Sequence, residues 1–179
     1  MKKTILILLM LISQISNSQK LEFDNFIFDN GKVKWQKVYN SKLEKNDIIQ
    51  FYQKSGIIRE FNYSENLITG LIEKTGIDYK QYEKSFSSPE PYITNSFLSC
   101  FITIEFKQNR YRLTLTDLKL IQKYENDSRK LGQIGELKDY VIKSNDSDYT
   151  RLFKKISSKI FNNTFDKLFE IKISDTDEW

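Results

Sequence analysis

Three carboxylates, Glu73, Glu105 and Asp117, are the groups whose type and placement come nearest to acid–base chemistry. Two carboxyl groups facing one cleft can hydrolyse a glycoside when one keeps its proton and the other stays ionised. Nothing in their spacing brings the three together, and Asp117 reads more simply as the start of the turn out of its strand. The chain contains no histidine. That removes Ser-His-Asp triads, imidazole acid–base work and His-ligated zinc together. Cys100 is the single cysteine, so no intramolecular disulfide can form, and its strand pattern makes it a small buried hydrophobe. Asp175, Asp177 and Glu178 cluster near the end without the spacing of a calcium loop. These residues imply no metal and no cofactor. The first reading is a non-enzymatic protein; the alternative is a hydrolase working through carboxylates alone.

Two further groups of residues suit recognition. Phe101, Thr103, Glu105, Arg110 and Arg112, with Thr114, occupy the outward positions of a hairpin and would form an open sheet face able to receive a protein or peptide. The plainer alternative is a solvated face with one cross-strand ion pair. Tyr79, Tyr82, Phe86 and Tyr92 lie in a long aperiodic stretch, Thr75 to Asn95, which also holds both prolines. Tyrosine offers contact area at low entropic cost, as in recognition loops; the alternative is that the aromatics fold back onto the domain. A third, purely structural reading is an envelope domain with no ligand.

The elements that must position these groups can be read in order. Phe26 to Trp35 forms a hairpin around Asn30-Gly31, a turn requiring positive φ at both positions. It sets Phe28 opposite Val33, Phe26 opposite Trp35 and Asp29 opposite Lys32. Val38 and Tyr39 follow in shifted phase, which implies a bulge near Gln36. Ser41-Lys42-Leu43-Glu44 has the form of a capping box leading into a helix through Ile48, Ile49, Phe51 and Tyr52, closed by Gly56. Ile57–Tyr63 and Leu67–Lys74 read as strands, with Gly70 marking a bulge or a close backbone approach. A second hairpin turns at Gln108-Asn109 and pairs Phe106 with Tyr111, Ile104 with Leu113, Ile102 with Leu115, Glu105 with Arg112 and Thr103 with Thr114. One register satisfies both of its faces. Beyond Leu120 the pattern becomes helical: a short segment over Glu136–Lys143, then a longer helix after Asp146-Ser147-Asp148 with an apolar stripe from Leu152 to Phe169.

The chain begins with Lys2 and Lys3, then eight apolar residues, Ile5 to Ile12, then a polar tail ending in Ser16 and Ser18. Crossing a bilayer core as a helix takes roughly 20 apolar residues, so residues 1–18 read as a cleavable export signal cut before Gln19. The expected mature chain is one domain of residues 19–179, sheet-rich over 19–121 and helical over 122–179. It would be periplasmic or secreted, without membrane insertion after cleavage. Loss of the segment lowers the net charge from +4 to +2. With basic and acidic residues interspersed, nucleic acid is not an expected partner. A protein, peptide or envelope component is.

On Phe28–Val33, the helix opening after Ser41, Gly70, Phe101–Lys107 and Arg110–Asp117, residues 23–121 resemble a family of small secreted bacterial domains of unknown function with a fold like that of the TATA-binding protein. The resemblance implies an α+β fold, a curved antiparallel sheet of about six strands with helices on one face. It carries no catalytic residues across. The 75–95 stretch departs from the family pattern, and residues 125–179 lie outside it.

Overall fold

The computed structural model describes residues 20–82, 88–125 and 129–171. The export segment, Phe86 and the acidic tail lie outside the described residues.

Eight strands form one antiparallel sheet. They are β1 (Leu21–Phe23), β2 (Phe26–Asp29), β3 (Lys32–Asn40), β4 (Arg59–Ser64), β5 (Leu67–Gly76), β6 (Ser96–Lys107), β7 (Arg110–Gln122) and β8 (Ile134–Glu136). The order across the sheet is β1-β2-β3-β7-β6-β5-β4, with β8 paired to the far half of β7. The two strands beyond the expected six, β1 and β8, are three residues each, too short to carry a visible alternation. Both hairpins adopt the expected registers. In the first, Asn30 (φ 50) and Gly31 (φ 73) supply the left-handed turn.

One face of the sheet is apolar, with Phe26, Val33, Trp35, Ile68, Ile102, Ile104, Leu113 and Leu115 buried there. Helix α1 (Lys45–Ser55) covers one end of it through Ile48, Ile49 and Tyr52. Short helices α2 (Pro91–Thr94) and α3 (Lys138–Val141) meet through Tyr92 and Tyr140, whose rings lie 5.0 Å apart. A π-helical turn, Phe153–Ser157, runs into α4 (Ser158–Phe169). Its apolar stripe seats Phe165 on Trp35 and Phe153 against Phe26, both at 4.9 Å. Asn162 on α4 accepts the indole N–H of Trp35 at 2.6 Å and the Asn25 amide at 3.0 Å, so the largest core ring keeps its one polar group satisfied. At the C-terminal end of α4, the hydroxyls of Tyr52 and Tyr111 both donate to the Phe169 carbonyl, at 2.5 and 3.0 Å.

Several local expectations are corrected. β3 has no bulge at Gln36; its register against β7 is continuous from Trp35 to Asn40. Lys37 therefore lies on the helix-covered face, where Asp166 of α4 binds its ammonium at 2.6 Å and accepts the Tyr39 hydroxyl at 2.8 Å. Ser41 forms no capping box. Its hydroxyl accepts the Leu43 N–H at 3.1 Å, and the helix begins after Glu44 with no side-chain cap. The bulges fall elsewhere: at Glu60 in β4, at Lys74 in β5 and at Asp117 in β7, each with φ near 50°. Of the two readings expected for Gly70, the close backbone approach holds: it sits opposite the first of these bulges without being the bulged residue. A Cβ there would meet the Arg59 carbonyl oxygen at 2.6 Å. The bulges in β5 and β7 flank Ser99 and Cys100 of β6, so a seam of local bending crosses three neighbouring strands at one level. Asp117 does not begin a turn out of β7. The strand runs on to Gln122, and the bulge resets its phase so that Leu118 and Leu120 again point into the core.

Candidate functional site

The helices lie on one face of the sheet, and the registers define what the other face presents. The pairings Val38–Arg112, Arg112–Glu105, Glu105–Leu67 and Leu67–Ser64 run through β3, β7, β6, β5 and β4 as one cross-strand row. At its centre the Arg112 guanidinium binds Glu105 in a fork, Nε to Oε2 at 2.8 Å and Nη2 to Oε1 at 2.7 Å. The hydrogen bonds from Arg112, and then its charge, hold the Glu105 carboxyl below its ordinary value of 4.5, and the arginine is correspondingly raised. Val38 and Leu67, at either end of this pair, are 51% and 37% exposed.

The next row toward the hairpin turn is Asn40, Arg110 and Lys107. Arg110 and Lys107 are direct cross-strand partners, and among the described residues neither forms an ion pair. On the other side of the Arg112–Glu105 row come Gln36, Thr114, Thr103, Thr69 and Asn62, where Gln36 donates to the Thr114 hydroxyl at 3.0 Å. Beyond them Phe101, 36% exposed, lies between Leu71 and Thr116. Around the first two rows opens a cleft of roughly 520 Å³, lined by Val38, Leu67, Phe106, Lys107, Arg110, Arg112 and Glu105, and closed on one side by the Ser64–Asn66 turn.

The hairpin residues singled out from sequence, Phe101, Thr103, Glu105, Arg110 and Arg112, thus share one face, and three of them line the cleft. The loop aromatics do not join them. Tyr92 is in the core at 8% exposure, while Tyr79 and Tyr82 are half-buried against it, the Tyr82 hydroxyl reaching toward the Lys159 carbonyl of α4. Their apolar rings find more burial on the helix side than a free loop would give them. The three carboxylates are also kept apart. Glu105 is engaged by Arg112, Asp117 is bound by Lys32 at 2.9 Å in a separate shallow depression, and Glu73 stands exposed beside the β5 bulge. Cys100 is 3% exposed, and burial pushes its thiol well above the usual range. Among the described residues no three acidic or sulfur ligands converge on a point.

Of the cleft lining, Lys107, Phe106 and the Ser64–Asn66 turn are read from sequence only as parts of strands and a turn, and Val38 and Leu67 are not read as site residues either. Strict alternation from Val33 and Trp35 would have placed Val38 on the outward face. Leu67, the first residue after a two-residue turn, depends on a register across β5 and β6 that no local pattern encodes.

No protein-family model matches the chain, and no curated protein matches it. Among solved structures it is similar to a TBP-like protein from Parabacteroides distasonis, at 17% identity and a TM-score of 0.43, over 76% of this chain and 85% of that one. It is also similar to a DUF4468 family protein from Bacteroides ovatus, at 15% identity and a TM-score of 0.45, over 79% and 84%. The first bears the same TBP-like description to which the resemblance of residues 23–121 points.

Proposed function

We propose that the chain is an exported, non-enzymatic binding module that takes a protein or peptide on the open face of its sheet, at the β6–β7 end. The observation that carries this reading is the roughly 520 Å³ cleft, apolar at both flanks and floored by a preformed ion pair, on the face the helices leave uncovered. A floor whose charges are already paired presents a flat, oriented surface at little cost in ordering. Catalysis is the weaker reading on the same geometry. A general acid needs its pKa raised toward the working pH, and Glu105 is shifted the other way. Asp117 and Glu73 lie outside that cleft. Export rests on the pattern of residues 1–18, and mass measurement of the protein made in cells should find a chain beginning at Gln19.

The binding reading is tested by photo-crosslinking in the native host. A benzophenone amino acid is placed at Thr103 on the open face and, in a second variant, at Lys159, an exposed position on α4. A discrete adduct from position 103 and none from 159 is the expected result. The same adducts from both positions, or none from either, would remove the open face as the binding surface.

A further inference from the structure

We infer that the β6–β7 end of the open face recognises an extended peptide bearing an acidic side chain, with an apolar side chain two residues along. This deepens the binding reading above and rests on it.

Lys107 and Arg110 face each other directly across the hairpin. Like charges in that position repel; among the described residues no carboxylate is hydrogen-bonded to either, and Glu105, on which the Lys107 charge also acts, is held by Arg112. An anion seated between them relieves the repulsion. One row further along, the charge of Arg112 is already cancelled by Glu105. The demand for an anion is therefore confined to one end of the cleft. The neighbouring row, about 6.8 Å away at two strand residues, offers Val38 and Leu67 instead. A ligand strand laid along β6 and β7 repeats its own side chains on one side at that same spacing. It can thus set a carboxylate over Lys107 and Arg110 and an apolar group beside Val38 or Leu67. A polyanion such as nucleic acid fits poorly, because the next row offers a cancelled ion pair between Val38 and Leu67 and no cation for a second phosphate.

The probe is the peptide amide Gly-Ser-Asp-Ser-Leu-Ser-Gly carrying fluorescein on its N-terminal amine, compared by anisotropy with its Asp-to-Lys counterpart labelled at the same amine, using the mature protein at low salt. The acidic peptide should bind about tenfold more tightly than the lysine form and weaken as salt is added. Arg110→Glu should abolish that preference, and Lys107→Glu with Arg110→Glu should reverse it. Both positions are at the surface, so thermal melts should show the variants folded. Equal binding of the two peptides, no saturable binding of the acidic one up to millimolar concentration, or an unchanged preference in the variants would overturn the assignment. The two readings separate cleanly. If the position-103 crosslinker still traps a partner and Arg110→Glu leaves trapping unchanged, the binding face stands and the acidic-peptide assignment falls. If trapping also fails, both fall.

Discussion

Replacing Gly70 by alanine puts a quantitative strain on the bulged edge of the sheet. In a regular strand, glycine to alanine is stabilising by about 0.5–1 kcal/mol, because the unfolded chain loses freedom. At Gly70 the new Cβ would stand 2.3 Å from the Ile58 Cγ2 methyl and 2.6 Å from the Arg59 carbonyl oxygen. The methyl can turn aside. The carbonyl cannot, since Arg59 is held in the ladder opposite Leu71 at the edge of the Glu60 bulge. Overpacking of this kind costs about 1–3 kcal/mol, and a backbone atom in the way argues for the upper half of that range. The balance is a net loss of about 1–2 kcal/mol. For a chain of this size that is a fall in Tm of about 2–8 °C. Gly76 supplies the control: it lies in the same strand, without a positive φ, and a Cβ there meets nothing within 4 Å. Gly76→Ala should be neutral or slightly stabilising. Urea titration followed by tryptophan fluorescence reads both variants, with the slope checked for constancy. A Gly70→Ala midpoint at or above wild type, or equal to that of Gly76→Ala, would refute the close-approach argument.

Asp166→Ala should destabilise by about 1–3 kcal/mol in urea, because it orphans both the Lys37 ammonium and the Tyr39 hydroxyl under α4. Lys37→Met should cost less, because the Asp166 carboxylate it leaves behind keeps the Tyr39 hydroxyl as a donor and is partly exposed to water. The Glu105–Arg112 pair is mostly exposed, so Glu105→Gln should cost no more than about 1 kcal/mol near neutrality. Because folding depresses the Glu105 pKa, its contribution is present above the ordinary value of 4.5 and is lost as the pH falls below it. A stability profile from pH 6 downward should therefore show wild type and Glu105→Gln converging in acid; parallel profiles would contradict the pairing. Cys100 should resist a thiol reagent in the native protein and react with one equivalent once unfolded in guanidinium, since burial keeps it a neutral thiol.

The hairpins could be read from sequence because each register satisfies two constraints at once. Phe106–Tyr111 and Glu105–Arg112 agree on opposite faces, and no slipped pairing does so. Viewed locally, Lys37 between Trp35 and Tyr39 looks like a phase change, because its apolar-face position is made tolerable only by Asp166, 129 residues away. Of the bulges, the one at Glu60 shows in the sequence only through Gly70 opposite it, and those at Lys74 and Asp117 do not show, for a related reason. Glu60 and Lys74 adopt left-handed backbone that their residue types do not favour, and aspartate's tolerance of it does not single out Asp117 among the aspartates; the neighbouring strands hold all three there. Of the candidate site, the charged hairpin face could be read and its apolar flanks could not, since Val38 and Leu67 join it through the sheet order. The loop aromatics had the composition of a contact surface, but composition cannot distinguish a ring that faces outward from Tyr92, which packs on Tyr140.

The position of β7 governs how this chain can acquire its structure in time. It is the strand through which the β1–β3 ribbon joins β4–β6. Val38 must wait for Arg112, and Trp35 for both Leu115 and the Phe165 ring. A growing chain therefore has no neighbour for its first ribbon until well over half of it has been made, and no cover for that ribbon until α4 follows. Contacts so distant in sequence make closure slow. For a polypeptide that must be threaded out as an unfolded chain, as the export reading requires, that delay is useful. On that reading the sheet stays open while the chain is still arriving, because the strand that joins its two halves is the seventh of eight.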